Sequence, residues 1–112
     1  MNPYDIAHQL ARTLKDSPEY KEYRELKKVV DADEEKKKIV EDFRKKQYEL
    51  QTMKAMGQDI GEGEMEKLHY LYNLASMDEN IKSLIRAEQR LGQLLTDIYK
   101  IIGDALKPEE QI

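Results

Sequence analysis

The stretch 78–106, DENIKSLIRAEQRLGQLLTDIYKIIGDAL, sets the strongest limit on how this chain folds. It contains no proline, and its apolar residues return at coiled-coil spacing. Ile81, Leu95 and Ile102 share one heptad position, and Leu84, Leu91, Ile98 and Ala105 share the position three residues later, with Ile85 beside them. Glu88 interrupts the first set. Such a stripe on a helix has to be covered by another helix, because left bare it would hold a continuous apolar face in water. The pattern speaks of association, and no catalytic signature stands beside it.

The chain as a whole is polar: charged residues make up 38% of it and hydrophobic ones 39%, yet the net charge is only −4. At 112 residues the chain is expected to form a single helical domain over 1–112 with a thin core. The mixed signs supply no drive toward nucleic acid or an anionic membrane, so no direct nucleic-acid binding is expected. The absence of cysteine removes disulfides, thiolate metal ligands and thiol nucleophiles, and fits a reducing compartment. MNPYDIAHQL lacks a basic segment leading into an apolar one, and no apolar run nears the roughly 18 residues of a membrane helix. A cytoplasmic protein without membrane insertion is the expectation.

Strand signals are nearly missing, whereas helix starts recur. Asn2 before Pro3 reads as an N-cap with proline at the first helical position, and Asp5 adds charge to the first turn. Ser17 before Pro18 repeats the signal. Asp31 and Glu34 have the spacing of a capping box and open a long charged helix whose stripe is Ile39, Val40, Phe43, Gln47, Leu50 and Met53. Three glycines in GQDIGEG, 57–63, mark the main turn. The expected helices are 3–15, 18–30, 32–56, 64–75 and 79–106.

A straight helix of that last length spans about 42 Å, against about 34 Å for a compact sphere of this many residues. The fold expected is all-α: an elongated antiparallel helical hairpin or bundle, with two long helices and short N-terminal ones, dimerising through the long helices. The oligomer interface is placed at Ile81, Leu84, Ile85, Glu88, Leu91, Leu95, Ile98 and Ile102. Glu88 either fixes register inside the seam or, since a 3.6-residue helix drifts about 20° per heptad, yields its inward place to Ala87. The drift is the simpler reading.

Other constellations carry less. Glu66 with His69 and Asp5 with His8 have the i,i+3 spacing that di-iron carboxylate bundles use, and Glu88 supplies a third carboxylate. In a chain with 23 acidic residues an acid three before a histidine arises easily by chance, and no metal site, cofactor or enzymatic activity is expected. GQDIGEG lacks the lysine and preceding strand of a phosphate loop. The clusters 36–38 and 44–46 would be the place for RNA, were RNA bound.

Tyr4, Asp5, Ala7 and Leu10, the helix start from Ser17 to Tyr20, the single Phe43 in a charged helix, and AEQRLGQLL with Ile98 and Ile102 together resemble the YlbF/YmcA/YheA family of small helical proteins from Gram-positive bacteria. The resemblance covers nearly the whole chain. It implies an all-α cytoplasmic protein that forms homo- or hetero-oligomers with itself or with family paralogues and has no known enzymatic activity. It also implies, for some members, an accessory role beside the endoribonuclease RNase Y in RNA maturation and development. Those members carry cysteine-ligated iron–sulfur clusters. With no cysteine, this chain cannot inherit that chemistry and looks closer to the YheA-like branch.

Overall fold

The structure is a computed structural model and describes residues 2–108. Five helices follow one another: α1 (Pro3–Lys15), α2 (Pro18–Asp31), α3 (Glu34–Ala55), α4 (Glu62–Ser76) and α5 (Glu79–Ala105). No strand occurs among the described residues.

Short polar residues start four of these helices. The Asn2 side chain accepts from the Asp5 N–H at 2.9 Å, with Pro3 at the first helical position. Ser17 Oγ accepts from Tyr20 N–H at 3.2 Å, and Asp78 Oδ1 accepts from Ile81 N–H at 3.0 Å. At α3 the cap is Asp33, not the Asp31 of the capping-box reading. Asp33 is extended, at φ −113 and ψ 113, and Oδ1 takes the N–H groups of Glu35 and Lys36. Asp31 instead ends α2, where its carboxylate meets Lys27 at 3.0 Å one turn back. Helix α4 has no side-chain cap. It begins after Gly61 in extended backbone, and Glu62 and Glu64 bring negative charge to its first turn.

Two compact bodies make up the chain. In Glu25–Ile85, α3 turns back into α4. Gly57 has φ +77, the left-handed region where a Cβ is strained. Around it Gly57 N–H donates to Lys54 C=O at 3.1 Å and Gln58 N–H to Met53 C=O at 2.9 Å, the bond pair of a Schellman ending. Contacts then climb the two arms in opposite order: Lys46 with Glu64 near the turn, Phe43 against Tyr72 at 5.9 Å between ring centres, and Lys36 with Asp78 at 3.1 Å at the far end. That order makes the hairpin antiparallel. Val40, Phe43 and Leu50 from α3 and Ala75 from α4 are buried, together with Val30, Ile81 and Leu84.

The second body comprises Met1–Arg24 and Arg86–Ile112. Arg90 and Glu22 pair there, and the rings of Tyr20 and Tyr23 lie 6.5 Å apart. It is thinly filled. Ala87 is its one fully covered apolar residue among those described, and α1 buries none of its residues.

Candidate interaction surface

Helix α5 carries the stripe that the sequence singles out, and burial divides that stripe in two. Ile81 and Leu84 are 0% and 1% exposed, packed into the chain itself. Ile85, Glu88, Leu91, Leu95 and Ile98 are half-buried, and Ile102 is 48% exposed. The heptad reading treats all eight as one seam. A buried side chain has no surface left to offer, so only the later positions are available to another molecule.

Ala87 is 1% exposed, and Glu88 is half-buried with its Oε1 covered, so the stripe takes in both positions. From residue 91 onward the helix shows more apolar surface than two heptad positions provide. Leu94 and Ile101 flank the stripe on one side, and Tyr99 and Leu106 on the other. Ile101 is 69% and Tyr99 71% exposed. At about 100° per residue the apolar arc from Ile101 to Tyr99 covers roughly 160°. The flanking positions of a two-helix coiled coil are normally charged. A sequence reading confined to the heptad core passes over them, and the signal that finds them is the absence of charge at positions 94, 99, 101 and 106.

Several carboxylates and bases outside this stripe are paired. Lys46 holds Glu64, and that hydrogen bond keeps the Glu64 carboxyl below its ordinary range and the Lys46 ammonium above its own. Burial pushes the Asp78 carboxyl up, but the Ile81 N–H and the Lys36 ammonium outweigh it and hold the group low. Lys38 meets Asp42 at 3.3 Å. The hollow beside these residues is lined by Glu34, Glu41 and Asp42 as well as Lys37 and Lys38, so the lysine run sits in a mixed field rather than a basic groove.

Glu66 and His69 lie exposed on α4, and Asp5 and His8 lie exposed on α1. Among the described residues no group of three His, Cys, Asp or Glu side chains is placed to hold a metal ion. No helix among them is long and apolar enough to cross a membrane.

Comparison with known proteins gives concordant likenesses. The family profile described as "Control of competence regulator ComK, YlbF/YmcA" matches residues 4–107. A UPF0342 protein of Symbiobacterium thermophilum is 42% identical over 103 residues, 92% of this chain and 92% of that one. Among solved structures, yheA from Bacillus subtilis superposes with a TM-score of 0.71 at 29% identity, covering 95% of this chain and 96% of that one. Bacillus subtilis RicA, solved in complex with RicF, gives a TM-score of 0.61 at 22% identity, over 92% of this chain and 91% of that one, a likeness of fold.

Proposed function

This chain belongs to the YlbF/YmcA family, and from that membership we propose that it is a non-catalytic helical adaptor that works by associating, first with a second copy of itself. The observation that carries this reading is the apolar arc of α5 after Glu88, half-buried at Leu91, Leu94, Leu95 and Ile98 and open to solvent at Ile101, Ile102 and Tyr99. A single soluble chain does not ordinarily present a continuous stripe of this kind, and removing such a face from water favours association at about 25 cal/mol per Å².

The interface comprises Leu91, Leu95, Ile98 and Ile102, bordered by Glu88; Ile81 and Leu84 belong to the fold beneath it. Support for a family sibling as a second partner comes from the RicA structure, which was solved with RicF bound. The wider role that fits is an accessory regulatory factor in bacterial RNA processing or development, placed in the cytoplasm, which rests on the family resemblance alone.

Sedimentation velocity on the purified protein tests the central claim. A dimer or larger species at tens of micromolar is expected; a monomer at that concentration would remove self-association. For the wider role, tagged protein expressed beside an RNase Y-type enzyme should co-purify with it, and failure at low salt would separate this chain from that complex.

A further inference from the structure

Helix α1 has everything a stable helix needs except full cover for its apolar face. It is capped by Asn2, carries Asp5 in its first turn and Arg12 and Lys15 in its last, and places Ile6, Ala7, Leu10 and Leu14 along one face. Yet it buries none of its residues, and Ile6 is half in solvent. At 13 residues it falls at the length where an isolated helix is marginal in water. Its own α5 belongs to the same compact body, yet the α1 face is only partly covered: Leu10 and Leu14 are half-buried and Ile6 is open.

The part-covered second half of α5 has the complementary defect. Its roughly 160° arc is wider than one seam, so a single α5 from a second copy would leave Ile101 or Tyr99 wet. It calls for two helices. Residues 91–105 span about 22 Å and α1 about 20 Å, a match in length. The charges match as well: α1 has Arg12 and Lys15 against Asp5, whereas this part of α5 has Asp97 and Asp104 against Lys100.

We propose that in the self-associated protein α1 of each copy docks on the second half of α5 of the other copy, beside the α5 to α5 contact. This rests on the self-association reading above. The occupant is a second copy because the chain itself carries both the part-covered helix face and the part-covered arc. Twofold symmetry then satisfies both defects twice with one contact.

The lack of native cysteine makes a direct test possible. Leu10→Cys is placed in one tagged version of the full chain and Ile98→Cys in a differently tagged one. Both positions are central to their helices and meet whether the helices run parallel or antiparallel. The two are mixed through unfolding and refolding and mildly oxidised, and a disulfide forms only if the Cα atoms come within about 7 Å. A cross-linked species carrying both tags and lost on reduction is the expected result. If the mixture sediments as a dimer but yields only Ile98→Cys joined to itself, or no cross-link, the exchange is overturned while self-association stands. A chain bearing both substitutions that cross-links only within itself overturns it too, and a monomer removes both readings. The pairs Ala7→Cys with Leu94→Cys, for parallel helices, and Ala7→Cys with Ile102→Cys, for antiparallel ones, repeat the experiment with Leu10 and Ile98 intact, so that a failure of either to fold does not decide the outcome.

Discussion

Leu84→Ala separates what α5 does for the fold from what it offers to a partner. Leu84 is 1% exposed and shares the chain's deepest layer with Ile81 and Val30, both at 0%. Removing three carbons there forfeits their transfer free energy and leaves a cavity among rigid neighbours, which for Leu→Ala costs about 3 kcal/mol. Far-ultraviolet circular dichroism and tyrosine fluorescence are followed together, because the chain divides into two compact bodies and Leu84 lies in Glu25–Ile85. With a urea slope of about 1.5 kcal/mol/M for a protein of this size, the midpoint should then fall by about 2 M. The assay is a urea titration at two protein concentrations tenfold apart, with the slope held as a check on two-state behaviour. A cost under about 1 kcal/mol, or one that disappears at the higher concentration, would place Leu84 in the contact between copies and refute the division of the stripe.

Leu91→Asp with Leu95→Asp should act in the opposite way: helix content persists while sedimentation shifts from dimer to monomer, because charges are forced into a desolvated seam. Unfolding of that variant together with loss of association would merge the two roles again. Gly57→Ala should cost about 1 kcal/mol in thermal or urea unfolding, since φ +77 strains any L side chain even though nothing lies within 4 Å of the new Cβ; a neutral result would mean the turn relaxes to another ending. Lys46 and Glu64 predict a pH signature. The depressed Glu64 group adds stability above the ordinary carboxylate range and loses it as pH falls through its lowered value, while the raised Lys46 group loses its share only as pH climbs past the ordinary lysine range. Comparing wild type with Glu64→Gln in urea titrations at pH 3, 7 and 11, chosen to bracket the ordinary values of about 4.3 and 10.4, should show the largest gap at pH 7; equal gaps throughout would discard the pair as a contributor.

Much of this architecture is legible from local chemistry. Asn2 before Pro3 and Ser17 before Pro18 announce helix starts that long-range contacts do not override, and Gly57 marks the turn because only glycine tolerates its φ. The start of α3 is misread because Asp31 and Asp33 both suit a cap. Lys27, one turn back, decides between them by holding Asp31 inside α2. The candidate surface is legible only in part. Heptad spacing reports which side of α5 is covered, but it cannot distinguish cover supplied by the same chain, as at Ile81 and Leu84, from cover still to be found, as at Ile102. Periodicity likewise gives α1 an inner face without saying that the chain leaves it only partly covered. Those distinctions are set by tertiary placement, which no local pattern carries.

The two ion pairs that tie the hairpin arms also fix what lengths this fold tolerates. Lys46 to Glu64 closes one rung and Lys36 to Asp78 another, and Asp78 at the same time starts α5. Between the rungs lie nine residues of α3 and thirteen of the returning arm. One residue added to α3 between Lys36 and Lys46 would turn one lysine about 100° away from its acid, and the same slip would swing the residue that begins the longest helix. Length variation among natural relatives should accordingly gather at 57–61, where an added residue changes only the bend.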